Sequence, residues 1–120
     1  MGKSIAIIDD DLITCRLMEA IIKKSGLDLS VNFFNTPKEG INHLEDGEFD
    51  YLFLDQNFRD LSGAEVLQLI PESIKNHLKV VVMSSNLTPE NKQLINEYDF
   101  VVSLMNKPLT IEKLEHIIKE

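Results

Sequence analysis

Short runs of apolar residues alternate along this chain with stretches in which apolar residues recur at helical spacing. The runs at residues 51–54 and 79–83, the second with three successive valines, predict strands buried on both faces, as in a parallel sheet. Residues 4–8 and 100–104 predict two more strands. Between residues 27 and 33 apolar and polar side chains alternate, which indicates one buried face and therefore an edge strand.

The stretches between these runs predict helices. The first extends to Gly26, which suits a helix C-cap, and carries these apolar residues at helical spacing: Ile13, Cys15, Leu17, Met18, Ile21 and Ile22. Thr36 and Glu39 have the spacing of a capping box, with proline at the first helical position between them. That second helix is predicted to run to about Asp46 and to stop at Gly47.

Two further helices are predicted in the second half of the chain. Gly63 opens the third helix, and Pro71 either ends it or starts a further short turn. Thr88 and Pro89 suit the N-cap and first residue of the fourth, whose Leu94 and Ile95 are expected to face inward.

The last helix completes an alternation of five strands and five helices. Lys107 and Pro108 interrupt the final strand, Thr110 caps the helix, and Leu109 and Leu114 stand at the two positions of a hydrophobic staple. Because each crossover must be right-handed and must cover the sheet, this alternation predicts a doubly wound α/β fold, (βα)5, with helices on both faces of a parallel five-stranded sheet. The two strands buried on both faces suit central positions and the alternating strand suits an edge, which fits the order 2-1-3-4-5. With 120 residues, the chain is expected to form a single domain over residues 1–120.

Polar residues stand at the carboxyl ends of four of the predicted strands. Asp9 and Asp10 follow the first, Asp55 ends the third, Ser84 follows the fourth and Lys107 the fifth. Ligands bind open α/β sheets beyond these ends, at the switch point between the first and third strands. Taken singly, each has an ordinary explanation as a turn residue, a helix N-cap or a surface lysine. Their joint spacing favours a common site.

The residue types of this site point to metal-assisted chemistry on phosphate. Three crowded carboxylates repel one another unless a cation lies among them, and oxygen ligands select Mg²⁺ or Mn²⁺ rather than zinc. A carboxylate such as Asp55 can attack phosphorus and form an acyl phosphate once the incoming charge is neutralised. Lys107 and Ser84 would supply the hydrogen-bond donors.

The amino-acid composition indicates which classes of partner and which cellular location to expect. Twenty acidic and twelve basic residues give a formal charge of −8, which argues against a nucleic-acid-binding surface and favours proteins and cations as partners. Cys15 is the only cysteine, so no internal disulfide can form, and a reducing, cytoplasmic location is expected. The N-terminus has no apolar region typical of a signal peptide, and no apolar stretch approaches the length of a membrane span.

The chain resembles the receiver domain of two-component response regulators, of the single-domain, CheY-like and flavodoxin-like fold, over essentially its whole length. Four segments carry the resemblance: Ile7-Ile8-Asp9-Asp10, Leu54-Asp55 followed by Ser62-Gly63, Val82-Met83-Ser84-Ser85, and Lys107-Pro108. The resemblance implies a phosphoacceptor that assists its own phosphorylation and dephosphorylation rather than an enzyme. Its implied phosphodonor is a histidine kinase or histidine phosphotransfer protein, and its implied effect is a changed interaction with a separate, unknown protein target.

The same resemblance implies a role for each site residue. Asp55 accepts the phosphoryl group. Asp10, Asp55 and the main-chain carbonyl of Asn57 hold Mg²⁺, to which Asp9 contributes through water. Ser84 binds one phosphoryl oxygen and Lys107 another, the latter from a loop bent by a cis peptide to its proline.

Some positions depart from the family pattern. Phe58-Arg59 replaces the usual Met-Pro pair, and Tyr98-Asp99 replaces the usual Gly-Ala. Leu104 replaces the aromatic ring expected three residues before the lysine, which puts the family's usual output mechanism in doubt.

Two other classes of protein would need features that this sequence lacks, and two variants of the receiver interpretation stay open. An aspartyl phosphatase would want a second acid two residues after Asp55, where this chain has an amide. A flavodoxin-like carrier would want a glycine-rich phosphate loop after the first strand, where this chain has three aspartates. An unphosphorylated pseudo-receiver that acts as a binding module, or a receiver fragment of a longer regulator, are the remaining alternatives.

Overall fold

The computed structural model describes residues 2–56, 62–85, 88–89, 92–93 and 97–119. Its centre is a five-stranded sheet in which all neighbouring strands are parallel and the order is β2-β1-β3-β4-β5. The strands are β1 (Lys3–Ile8), β2 (Leu29–Phe34), β3 (Tyr51–Asp55), β4 (Lys79–Ser84) and β5 (Val101–Asn106). The predicted fold class and strand order are therefore confirmed, and β2 lies at an edge as predicted.

Five helices are continuous within the described residues: α1 (Leu12–Ser25), α2 (Pro37–Asp46), α3 (Gly63–Leu69), α4 (Glu72–Lys75) and α5 (Ile111–Lys119). Between β4 and β5, residues 89, 92, 93 and 97 also have helical backbone, which agrees with the predicted start of a helix at Thr88 and Pro89. The expected inward positions of Leu94 and Ile95 lie outside the described residues. Both alternatives at Pro71 hold, because α3 ends just before it and it is the N-cap of α4.

Strand ends are where the prediction and the structure differ most. β2 begins at Leu29 rather than at residue 27, and it ends on the buried Phe34. β5 runs from Val101 to Asn106 instead of over residues 100–104, so it continues until Lys107 ends it. The apolar pattern alone predicts the ends of strands poorly, because polar residues at the strand tips also make the backbone hydrogen bonds of the sheet.

Capping residues set the helix limits. Asp11 accepts hydrogen bonds from the backbone of Ile13 and Thr14 and caps α1, whose C-cap Gly26 has a left-handed φ of 72°. Thr36 caps α2 by accepting from the N–H of Glu39, so one of the two bonds of the predicted capping box is present. The complete box, with both bonds, is at α3 between Ser62 and Glu65.

The sheet is covered on both faces, and each face has its own core cluster. α2, α3 and α4 contribute to the cluster that contains Ile8 and Leu54, whereas α1 and α5 contribute to the one that contains Ile7 and Phe53. β3 is buried along its whole length, as its sequence predicts. Leu109 and Leu114 lie in the same cluster and are both buried, consistent with the predicted staple.

Fewer residues of α1 are buried than its apolar sequence pattern suggests. Cys15, Met18 and Ile22 are buried against the sheet, whereas Ile13 is 72 % and Leu17 59 % exposed. A helix this close to one sheet face buries a single stripe, so the second apolar stripe faces solvent. Among the described residues, no helix has both the length and the apolar character that a membrane crossing requires.

Backbone hydrogen bonds fasten the strand tips to one another at the carboxyl edge of the sheet. Asp9 N–H donates to the carbonyl of Phe34 (3.0 Å), and Gln56 N–H donates to that of Met83 (2.8 Å). Lys107 N–H donates to the carbonyl of Ser84 (2.8 Å). The ladder therefore continues past the strands and fixes the backbone that carries the predicted site.

Candidate functional site

The Lys107 ammonium connects two carboxylates at the carboxyl edge of the sheet. Lys107 Nζ donates to Asp9 Oδ2 and to Asp55 Oδ1, each at 2.9 Å. The side chains of Asp9, Asp55 and Lys107 are 0 %, 10 % and 18 % exposed. Three residues far apart in sequence thus form one largely buried ionic cluster, as their strand-end positions predict.

Asp9 is held by several groups besides the lysine. Its Oδ1 accepts from the backbone N–H of Asp11 (2.9 Å). Its carbonyl accepts from Asn35 Nδ2 (3.3 Å) and from the thiol of Cys15 (3.5 Å). Both of its carboxylate oxygens are therefore engaged by protein donors, which suits an indirect role towards a cation better than a direct one.

Asn35 is a residue that the sequence analysis missed. It follows β2, and its carboxamide links that edge strand to the backbone of Asp9. Its signal in the sequence was the same as that of the other site residues, a polar side chain just after a predicted strand. The contact to a backbone carbonyl, however, depends on the third dimension and has no sequence signature.

The pKa values of Asp55 and Lys107 are both raised, but for different reasons. Burial raises the pKa of Asp55, with the charges of Asp9 and Asp10 adding to the effect and the bond from Lys107 opposing it. Burial also works against the charged form of Lys107, but its hydrogen bonds to Asp9 and Asp55 outweigh burial and raise the ammonium pKa. The lysine therefore stays charged. The stability that protonated Asp55 gives to the folded state is lost as the pH rises through its raised pKa.

Burial likewise raises the pKa of the Cys15 thiol to about 11, and the negative charge of Asp9 contributes in the same direction. A thiol with so high a pKa is almost entirely protonated at neutral pH and therefore a poor nucleophile. Cys15 acts as a core residue and a donor to Asp9, in agreement with the predicted helix position.

The donor set fits a hard divalent cation. Asp9, Asp10 and Asp55 each offer a carboxylate oxygen, and these oxygens lie within 4.8 Å of one another. Asp10 is exposed, so the cluster is open to solvent on that side. Oxygen ligands with an open side are typical of Mg²⁺, which keeps part of its water shell. The fourth predicted ligand, the carbonyl of Asn57, lies outside the described residues.

Ser84 ends β4 beside this cluster and is 2 % exposed. Its carbonyl accepts from Lys107 N–H, so the backbones of these two predicted site residues are directly joined. The structure thus brings Asp9, Asp10, Asp55 and Lys107 together and puts Ser84 at the tip of the adjacent strand. As predicted, the peptide between Lys107 and Pro108 is cis.

Comparison with known proteins identifies the family. The family model described as "Response regulator receiver domain" matches residues 5–119. The chain therefore belongs to the response regulator receiver family. A search of the curated proteins finds no match.

Several solved structures share the fold. A two-component response regulator from Cytophaga hutchinsonii has a TM-score of 0.90 and 24 % identity, with 98 % of this chain and 95 % of that chain covered. TrrA from Thermotoga maritima, in complex with Mg²⁺ and BeF, has a TM-score of 0.79 and 18 % identity, covering 98 % and 96 %. The receiver domain of Saccharomyces cerevisiae Ssk1, bound to the histidine phosphotransfer protein Ypd1, has a TM-score of 0.81 and 16 % identity, covering 98 % and 87 %.

We predict that Mg²⁺ stabilises the folded protein because it relieves repulsion among the three carboxylates. At ten times the dissociation constant, mass action gives a gain of about 1.4 kcal/mol in the free energy of unfolding. Asp10→Asn should raise the stability of the metal-free protein, since the charge of Asp10 is one cause of the raised pKa of Asp55, and should remove the response to Mg²⁺. Thermal unfolding with and without Mg²⁺ measures both effects.

A matched control for this experiment is Asp46→Asn. Asp46 is an exposed acid in the last turn of α2, so the substitution changes the net charge equally but leaves the cluster intact. Its stabilisation by Mg²⁺ should equal that of the wild-type protein. A wild-type melting temperature that does not respond to Mg²⁺ contradicts the site.

Proposed function

We propose that this protein is the phosphoacceptor of a two-component signalling system and that Asp55 receives the phosphoryl group. The observation that carries the proposal is the Lys107 ammonium, 2.9 Å from both Asp9 and Asp55 at the carboxyl edge of the sheet. This ammonium places a positive charge beside the Asp55 carboxylate, whose pKa is raised by burial. Family membership supports the same conclusion.

The proposed reaction transfers a phosphoryl group from a phosphohistidine to Asp55. An oxygen of the Asp55 carboxylate attacks the phosphorus of a phosphohistidine, an O–P bond forms, and the N–P bond breaks with its electron pair left on the imidazole. Lys107 offers positive charge to the phosphoryl oxygens, and Ser84 offers a hydroxyl from the neighbouring strand. Asp55 is thus an acceptor that assists its own phosphorylation and dephosphorylation, and the protein is not an enzyme acting on a separate substrate.

A divalent cation belongs to this proposal as the cofactor. Asp10, Asp55 and the Asn57 carbonyl would hold Mg²⁺ or Mn²⁺, with Asp9 acting through water, and the ion would neutralise phosphoryl charge. The oxygen atoms of the three aspartates, within 4.8 Å of one another, support this ligand set. That the TrrA neighbour was crystallised with Mg²⁺ and BeF supports it by analogy.

We predict that Asp55→Asn abolishes phosphorylation, because the amide lacks the nucleophilic oxygen. Lys107→Ala should still accept a phosphoryl group but fail to transmit the change to the loops. Incubation with acetyl phosphate and Mg²⁺, followed by intact mass and peptide mapping, measures the modification. The exposed variant Asp46→Asn should be modified like the wild-type protein.

Two outcomes of this experiment separate the alternatives. Wild-type protein that gains no phosphoryl group under these conditions would be a pseudo-receiver that only binds partners. Equal labelling of Asp55→Asn on the same peptide would overturn the assignment of the acceptor. The single five-stranded sheet supports the proposal that residues 1–120 form one domain.

The proposed phosphodonor is a histidine kinase or a histidine phosphotransfer protein. Leu12, Ile13 and Leu17 are 59 %, 72 % and 59 % exposed on α1, directly after the aspartates of the site. An exposed apolar patch beside a reactive group favours protein docking. The Ssk1 neighbour, solved in complex with Ypd1, supports this class of partner. The downstream target and the cytoplasmic location stay predictions.

We predict that Ile13→Ser slows phosphoryl transfer from a phosphorylated histidine phosphotransfer protein but not from acetyl phosphate. Ile13 is exposed in the free protein and would be buried against the donor, so its loss should weaken donor binding roughly tenfold. Leu69→Ser is the matched control, since Leu69 is 55 % exposed on α3, away from this patch. Equal loss with both donors would mean that Ile13 acts on the site itself and not on docking.

Output is proposed to depend on the loops rather than on a side-chain rotation in β5. Leu104 has no ring to turn, and it packs partly buried against the core. Ser84 lacks the methyl group of threonine, so its movement vacates little volume. A population shift can be no larger than the differential contacts that drive it. The backbone bond between Lys107 and Ser84 is then the more direct connection between the two loops.

We predict that phosphorylation reorders residues 84–88 and the segment from Asn106 to Lys107, with only a minor rotamer change at Leu104. Amide and methyl NMR spectra with and without beryllofluoride would measure the two responses. Large shifts at the Leu104 methyl groups with unchanged amides at residues 84–88 would refute the prediction.

A further inference from the structure

The first turn of α5 breaks a pattern that two other helices of this chain follow. In α2, α3 and α5 the N-cap hydroxyl accepts from the backbone N–H three residues later, at 3.2 Å in each case. That third residue is Glu39 in α2 and Glu65 in α3, the acid that a capping box prefers. In α5 it is Lys113.

A lysine at this position works against the helix. The first turn carries the positive end of the helix dipole, so a cation there is unfavourable and an anion favourable. A sequence that breaks a local rule usually has a functional or compensating reason at that position. Here the reason is visible in the contacts of the side chain.

Lys113 turns back onto the loop that carries Lys107. Its Nζ donates to the carbonyl of Asn106 at 2.6 Å and to that of Pro108 at 2.9 Å. These two carbonyls belong to the residues on either side of Lys107. On its other side, Lys107 N–H donates to the carbonyl of Ser84 at 2.8 Å. Hydrogen bonds from α5 and to the end of β4 thus fix the loop on both sides of Lys107.

We propose that Lys113 is a positioning residue, which fixes the loop of residues 106–108 so that the Lys107 ammonium stays between Asp9 and Asp55. The functional part of this inference rests on the proposed phosphoacceptor role. In place of a capping acid, Lys113 makes charge-assisted hydrogen bonds to two carbonyls, one on each side of Lys107. Lys113 touches no reacting atom and acts only through Lys107.

Hydrogen exchange of the Lys107 amide tests the positioning without any phosphoryl chemistry. In Lys113→Met, which keeps the aliphatic stem but has no donor, this amide should exchange about tenfold faster, because the loop opens more often. Lys113→Arg should restore most of the protection, since its guanidinium can reach both carbonyls. Lys38→Met removes a charge from the first turn of α2 and should leave the Lys107 amide unchanged.

Phosphorylation and stability together separate positioning from a structural role. Lys113→Met should lower the rate of Asp55 modification by acetyl phosphate several-fold, with partial rescue in Lys113→Arg. Its melting temperature should change little, because the lost hydrogen bonds to the two carbonyls and the removal of an unfavourable charge at the helix start act in opposite directions. Lys38→Met should react at the wild-type rate.

Each outcome decides the inference. Unchanged exchange of the Lys107 amide in Lys113→Met overturns it, as does a melting temperature that falls in parallel with the rate. Faster exchange with a normal phosphorylation rate would mean that Lys113 orders the loop but does not affect the reactivity of Asp55, which refutes its proposed effect on the site. If wild-type protein is never modified at Asp55, the proposed function fails, and the exchange experiment still decides whether Lys113 fixes the loop.

Discussion

The ammonium of Lys107 between Asp9 and Asp55 is the interaction on which the rest of this site depends. Two carboxylates that are almost completely buried would repel each other and lose their hydration, a cost that a shared cation offsets. The pairing also keeps Lys107 charged, because its bonds outweigh the effect of burial on the ammonium pKa. Replacement of the lysine would leave two uncompensated charges at the tips of the central strands.

The parallel sheet supplies the geometry that this ion cluster needs. β1, β3, β4 and β5 all end at one edge, and backbone bonds beyond the strands tie Gln56 to Met83 and Lys107 to Ser84. Asp9 is further fixed through its carbonyl by Asn35 and Cys15. Side chains placed by strand tips move little, so the carboxylates are held close to each other even though their charges repel.

Sequence pattern predicted this framework because its signals are local. The apolar runs of β3 and β4, the cap at Gly26 and the polar residues at strand ends each follow from a few neighbouring positions. Features that depend on packing were not predictable. Periodicity along α1 could not tell that Ile13 and Leu17 face solvent while Cys15 and Met18 face the sheet, since adjacent stripes look alike. The contacts of Lys113 were equally hidden, because a lysine in a helix normally suggests only a solvated surface.

The same ion cluster also determines which part of the molecule can respond to a new charge. Lys107 has its two carboxylate partners at 2.9 Å, so a phosphoryl group on Asp55, if it is the acceptor as proposed, would compete for an ammonium that is already engaged. The backbone that carries this ammonium is bonded to Ser84 and flanked by the carbonyls that Lys113 holds. The charge on Asp55 is therefore coupled most directly to the β5–α5 loop and the tip of β4. Under the proposed function, in a chain with Leu104 in place of a ring, that loop and strand tip would carry a change at the site to the surface.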